Sequence, residues 1–550
     1  MKKIFNYILS ATLIFTLASC NEDEVLSSWV DQNPEVDTTP TGEAGTADLS
    51  NLVVLGTSLA SGFQDGALHD AGQANSFPAL LGGQFQIGTI GGTTDFGQPD
   101  INSANGYNML ANDGSGRSEL SLSLLAPVNT TGDLLSILTP WSGTTNTLNN
   151  FGVPLTQSGQ LVIAATGGPV TDTYGGAVPA AGNPAYNPFY KRFASSPSAD
   201  GATGSTPLTD ALGAGGSFFV YEAGINDVAL YAAGGGTTAI GPITNPAVFE
   251  GAADAAIHAL ATTGGTNAYE IEGVVLNVPP ILVFPFFQAV KYNAIPLDAA
   301  TAGALNSGLA AVNGAIQALV DNVGLDQADA DKRFMSYAEG QNAILVIDES
   351  LTDLGPLFDL LGLPAANRAG LVPYEQSRPL TADDIVPLGT APILGVEADG
   401  DDTVADTPYG LVIPLGFSLA TGIQPGGGDP FYIDGAEQVE IETNRAMYNA
   451  ALAGAVADVN AAGGDVVLVD IESIFLDAAG FDGVTGIEAQ GLTLAPDFSP
   501  NGIFSTDGIH PCQRGHGLIA NKIISAINAQ WGASVPEVNI AGLPGPVFIP

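Results

Sequence analysis

Short apolar runs recur along this chain at wide intervals. Residues 52–55 (LVVL), 218–221 (FFVY), 273–277 (GVVLN), 344–347 (ILVI) and 466–469 (VVLV) are rich in β-branched or aromatic side chains. Runs so short and so continuous predict strands buried on both faces. Between them apolar positions recur every three or four residues, which predicts helices over 246–262, 299–322, 438–462 and 515–530. In the third window Ile441, Met447, Tyr448, Ala451, Val456 and Val459 mark the expected buried stripe. Strands alternating with helices predict an α/β fold with a parallel sheet covered on both faces. Stretches 90–215 and 350–435 are Gly- and Pro-rich and predict long connections, which in a compact body carry function or stay flexible.

The amino terminus departs from this pattern. Lys2 and Lys3 precede an apolar stretch, Ile4 to Leu17, that is short for a membrane span and suits an export signal. It ends in Leu17-Ala18-Ser19-Cys20, which resembles the lipobox of bacterial lipoproteins. The resemblance implies that residues 1–19 are removed and that Cys20 carries a lipid anchor of several acyl chains, a stable tether. An ordinary secretory signal with an incidental Cys is the alternative. Asn-Glu-Asp-Glu at 21–24 resembles the acidic signal that sends some lipoproteins to the outer face of the outer membrane. Residues 20–48 then read as a flexible acidic linker, 49–534 as the body with long insertions and 535–550 as a tail. With Cys20 lipidated, Cys512 has no partner for a disulfide, because the chain has two cysteines.

Charge narrows the partners. The 550 residues carry 57 acidic against 13 basic side chains, a formal net charge of −44. Such a surface repels phosphate backbones and argues against nucleic acid. A positive mean hydropathy of +0.24 argues against a disordered acidic chain.

Chemistry is first suggested where the run at 52–55 ends in Gly56-Thr57-Ser58. A serine hydroxyl needs a base to become a nucleophile, and an imidazole held by a carboxylate is the usual one. The chain has four histidines. His69 follows the Ser58 segment, His258 lies in an Ala-rich helix and His516 falls in the last helix, where a packing role is expected. His510 stands three residues after Asp507 in a loop, a spacing that lets the carboxylate fold back on the ring. After the run at 218–221, Gly224-Ile225-Asn226-Asp227 places an amide where it can donate to a developing oxyanion. "LGTSLASG" at 55–62 is echoed by "LGFSLATG" at 415–422, so Ser418 is a competing nucleophile.

Taken in order, Gly56-Thr57-Ser58-Leu59, Gly224-x-Asn226-Asp227 and Asp507-x-x-His510 resemble the motifs of the SGNH hydrolases, the GDSL esterase/lipase family. The likeness extends through "FSTDGIHPCQRGHGLIANKII" into the last helix. It implies a flavodoxin-like three-layer α/β/α sandwich and ester hydrolysis through an acyl-enzyme. Ser58 would be the nucleophile, His510 the base and then the acid, and Asp507 the orienting carboxylate. The oxyanion hole would comprise the Ser58 backbone N–H, the Asn226 amide and an N–H from "NNFGVPLT", 149–156, at Leu155. Ser418 follows the Asn block instead of preceding it, which is the wrong order. Two residues depart from the family pattern: Thr57 stands in place of Asp, and Leu155 in place of Gly. Thr57 predicts altered support of the turn, and Leu155 raises a conformational cost if its φ is positive.

Other features are weaker. "EADGDDTVAD" at 397–406 has carboxylates enough for Ca²⁺ but not EF-hand spacing, and is read as a solvated loop. Cys512 is expected to be a small buried residue. "NVPPILVFPFF" at 277–287 suits either an apolar acyl site or a rigid core connection. No cofactor is expected. The leading expectation is a surface-tethered carboxylic ester hydrolase acting on lipid, aryl or O-acetyl esters. The competing one is a weak or inactive binding protein of the same fold for a surface glycan or lipid.

Overall fold

The computed structural model describes residues 41–121, 126–169, 183–238, 240–262, 268–396, 408–418, 422–423, 430–481, 485–546 and 548–549. Residues 1–20, read above as an export signal and a lipidated Cys20, and the acidic segment 397–406 lie outside them.

A five-stranded parallel sheet forms the centre: β1 Leu52–Gly56, β2 Asn150–Gly152, β3 Phe218–Tyr221, β4 Glu272–Leu276 and β5 Val466–Val469. Their order across the sheet is β5-β4-β3-β1-β2, with β1 paired to both β2 and β3. Every residue of β1 and β3 is buried, as continuous apolar runs require of strands covered on both faces. Helices flank the sheet, compatible with a three-layer sandwich. They include α1 Ser58–Ser61, α2 Phe77–Gln84, α3 Ile225–Ala233, α4 Pro246–Leu260, α5 Ala299–Val323, α6 Gly435–Ala461 and α7 Gln513–Trp531. α2 and α7 pack together, with Phe85 and Trp531 edge-on to Phe218 of β3. α4 starts with Asn245 capping Ala247 N–H and Pro246 in its first turn, and buries Phe249, Ala253, Ala256, Ile257 and Leu260 at helical spacing. It packs along α6, where the Phe249 and Tyr448 rings stack 4.2 Å apart.

Three expectations need correction. The run 344–347 is a strand at Leu345–Ile347, but it pairs antiparallel with Ser377–Pro379 and is no part of the central sheet. It belongs to a lobe with its own apolar cluster, including Ile316, Leu319, Ile344, Leu354 and Phe358, built on α5 and the segment up to Tyr432. In α6 the buried stripe is Ile441, Tyr448, Leu452, Ala455, Val456 and Val459, while Met447 is 49% exposed. The body is also larger than 49–534. Thr46 N–H donates to the Trp531 carbonyl and Ser534 N–H to that of Glu43, so the end of the linker is stitched to the end of α7. Val538 N–H donates to Asn521 and Ile540 N–H to Gln490, and Phe548–Ile549 pairs with Ser115–Ser121. No helix among the described residues is long and apolar enough to cross a membrane.

Candidate active site

β1, β2 and β3 all end at one edge of the sheet, where the strand order reverses, and there α/β sheets place their ligand sites. Ser58 follows β1, Leu155 follows β2 and Asn226 follows β3. Gly224 makes the last turn possible: its φ is +116°, and a Cβ there would lie 2.4 Å from Val278 Cγ2.

The Ser58 hydroxyl, 2% exposed, accepts two hydrogen bonds: from Leu155 N–H at 2.8 Å and from Asn226 Nδ2 at 3.0 Å. The Asn226 amide also donates to the Thr156 carbonyl at 2.9 Å, which fixes its orientation. The backbone N–H of Ser58 stands in the first turn of α1, where no intrahelical acceptor exists. Two of the three donors named from sequence thus meet at the Ser58 hydroxyl, and the third is the backbone N–H of the same residue.

Leu155 reaches this position at a cost. Its φ is +59°, the left-handed conformation that a side chain disfavours. Asp227 holds the next residues: buried, it accepts from Ser158 N–H at 3.0 Å and Ser158 Oγ at 2.7 Å. Burial pushes the Asp227 carboxyl up, against the lowering effect of the hydrogen bonds from Thr244 and Ser158.

His510 Nδ1 lies 2.9 Å from Asp507 Oδ2. Asp507 also accepts from Ile509 and His510 N–H, both at 2.9 Å, and from Gly66 N–H at 3.0 Å. Burial raises this carboxyl, but the His510 imidazole and the backbone donors outweigh it and hold it at about 2. It is therefore ionised at neutral pH and fixes the ring through Nδ1, leaving Nε2 without a hydrogen-bond partner among the described residues. The Phe63 ring meets His510 edge-on at 5.0 Å. Phe286 N–H donates to the Gly508 carbonyl at 2.9 Å, clamping the Asp507–His510 loop to the segment read above as acyl site or rigid connection.

Ser58 and His510 face one narrow cavity, closed by Leu59, Ile225, Phe284, Phe475, Ile509 and Pro511. Its volume of about 10 Å³ is roughly what one water occupies. No hydrogen bond joins the Ser58 hydroxyl to His510; Oγ points to the two amide donors, and His510 Nε2 is buried without a hydrogen-bond partner among the described residues.

The remaining candidates lie elsewhere. Ser418 sits in a short hairpin with Gly422–Ile423, in the lobe where Phe417 packs with Ile347 and Ile413, and is not part of the cavity wall. His516 is buried in α7, accepts from Phe77 N–H at 3.2 Å and is kept neutral by burial and by His510, at about 3. His258 pairs with Tyr269 and Asp254 on α4. Cys512 is buried at the start of α7, and burial pushes its thiol up to about 11.

Two carboxylates went unremarked in the sequence. Glu222, directly after β3, is 2% exposed; it accepts from Thr57 N–H at 2.8 Å, Thr57 Oγ1 at 3.0 Å and Ala60 N–H at 3.2 Å. Asp65 accepts from Thr506 N–H at 2.9 Å and Thr506 Oγ1 at 2.8 Å, and so holds the residue before Asp507. A charged residue flanked on both sides by apolar or small residues is the signal that marks Glu222. Among the described residues no group of three or more His, Cys, Asp or Glu could hold a metal ion. Comparison of the chain with protein-family models, curated proteins and solved structures yields no match in any of the three.

Proposed function

We propose that this chain is a serine ester hydrolase of the SGNH type, acting on esters with a small acyl group. One observation carries the proposal: the Leu155 and Asn226 N–H donors converge on Ser58 Oγ beside the Asp507-oriented His510, in one cavity. The strand order, read as β2-β1-β3-β4-β5, supports a flavodoxin-like sheet.

In this reading the serine hydroxyl turns toward His510 Nε2, which takes its proton as Oγ attacks the ester carbonyl. The Leu155 and Asn226 N–H groups, relieved of Oγ, receive the oxyanion together with the Ser58 N–H. His510 returns the proton to the leaving alcohol, then activates water to release the acid. Asp507 stays ionised throughout and stabilises the transient imidazolium. The small apolar cavity walled by Phe284 and Phe475 favours acetyl or similarly short acyl groups over long chains. O-acetylated glycans are a fitting substrate class. The lipobox supports a lipid anchor at Cys20 and a place in a bacterial envelope, tested by fatty-acid labelling of the wild type beside Cys20→Ala.

The deciding experiment is hydrolysis of p-nitrophenyl acetate, butyrate and octanoate by wild type and Ser58→Ala. Activity greatest on acetate and abolished in the variant is expected. Activity retained in Ser58→Ala, or none in the wild type on any ester, overturns the proposal.

A further inference from the structure

We propose that Glu222 is the positioning carboxylate of the nucleophile turn, holding Thr57 and Ala60 so that Ser58 and its N–H keep their place. The proposal rests on the ester-hydrolase reading and extends it to a residue outside its triad and oxyanion hole.

The turn from β1 into α1 is short, and α1 itself spans Ser58–Ser61, too little helix to be rigid by its own hydrogen bonds. Something outside it must hold it. The Glu222 carboxylate grips it on both sides of Ser58: Oε2 accepts from Thr57 N–H at 2.8 Å before the nucleophile and from Ala60 N–H at 3.2 Å after it. The Thr57 hydroxyl donates to Oε1 at 3.0 Å, so both carboxylate oxygens are used. Packing around it is close. A Cβ on Gly56 would lie 2.9 Å from Oε2 and 2.6 Å from Ala60 Cβ. β1 pairs with β3 up to Leu55↔Tyr221, so Glu222 leaves β3 level with the start of the turn. A buried carboxylate with no cationic partner is costly unless backbone donors saturate it, and that is the arrangement found. Thr57 then follows from Glu222: a carboxylate at 57 would face the Glu222 oxygens at the distance the hydroxyl now occupies, and like charges would repel.

The test is Glu222→Gln and the exchange Thr57→Asp/Glu222→Gln in the full chain. Initial rates on p-nitrophenyl acetate are measured with amide hydrogen exchange over residues 57–61. Glu222→Gln turns charge-assisted hydrogen bonds into weaker or mismatched ones, so kcat is expected to fall on the order of 10- to 100-fold with KM little changed. Exchange at 57–61 speeds up. The double variant returns a carboxylate to the same spot and recovers at least a tenfold part of kcat. Thr57→Asp alone is worse than either. A Glu222→Gln enzyme with kcat within about twofold of wild type and unchanged exchange overturns the proposal, as does a loss that the exchange of positions leaves unrepaired. Absence of turnover by the wild type itself overturns the ester-hydrolase reading instead, and the exchange data still decide whether Glu222 holds the turn.

Discussion

In the proposed oxyanion hole, Leu155→Gly separates the role of the backbone N–H from that of the side chain. Leu155 sits at φ +59°, where a side chain costs roughly 1–2 kcal/mol that glycine does not. Against that gain stands packing: the half-buried side chain lies on the cluster of Phe63, Leu68, Ile101, Tyr107, Ile137 and Phe189. Full burial of a leucine contributes roughly 1.5–3 kcal/mol, so partial burial contributes about 1–1.5. The added freedom of glycine in the unfolded chain costs about 0.5–1 more. The terms nearly cancel, and Leu155→Gly is expected to be destabilised by no more than about 1 kcal/mol in urea titration. The donor in the proposed oxyanion hole is the N–H, 2.8 Å from Ser58 Oγ, and glycine keeps it. Hydrolysis of p-nitrophenyl acetate should therefore stay within about threefold of wild type, since no oxyanion donor is lost. A folded Leu155→Gly protein that loses more than tenfold in kcat refutes this reasoning, because it assigns the role to the side chain.

Asn226→Ala removes a side-chain donor, and kcat should fall about 10²- to 10³-fold with KM nearly constant in steady-state assays. Phe475→Leu opens the cavity beside Ser58, and at about 0.8 kcal/mol per methylene accommodated, kcat/KM for butyrate over acetate should rise roughly four- to tenfold in a chain-length series. Asp507 is held at about 2, below the usual 3.8, so its contribution is present above pH 4 and lost as pH falls toward 2. That is about 2 kcal/mol, and Asp507→Asn should flatten the stability curve from pH 4 to 2 in denaturant titrations. An unchanged acid limb in the variant would refute it.

The central strands were legible because burial on both faces leaves an uninterrupted apolar run, and β3 and β5 begin and end where those runs do. β2 left no such trace. Its Asn150-Phe-Gly and the preceding Asn149 are held to β1 and α1 partly by side-chain amides: Asn149 Nδ2 donates to the Leu52 carbonyl of β1 and Asn150 Nδ2 to the Ala60 carbonyl of α1. Polar anchoring of an edge strand has no hydrophobic period to detect. The run at 344–347 was legible as a strand but not as a strand of another sheet, because an apolar run records burial and not the partner that buries it. Met447 was misplaced for a related reason: it neighbours Tyr448 in sequence but lies round the helix from Ile441, Tyr448 and Leu452. Ser58, Asn226, Asp507 and His510 were legible by residue type and order. What holds them was not, because Glu222 and Asp65 act across 165 and 441 residues of separation.

These supports share one physical device. Glu222 takes N–H groups of the nucleophile turn, Asp227 that of Ser158 beyond the oxyanion segment, Asp65 that of Thr506 and Asp507 those of Ile509 and His510. Each loop of the site is thus stapled through its backbone by a carboxylate based on another part of the chain or on its own turn. Backbone donors serve whatever side chains the loop carries, so such a site tolerates Thr57 and Leu155 where side-chain contacts alone would not. They also dispense with lysine and arginine, which is consistent with a chain in which acidic residues so outnumber basic ones. The cost is desolvation, and it is visible where burial pushes Glu222 and Asp227 up, while the imidazole keeps Asp507 low. Of the three, Asp507 is therefore the one whose charge is secured most firmly, which suits the proposed mechanism, where His510 must develop a positive charge beside it.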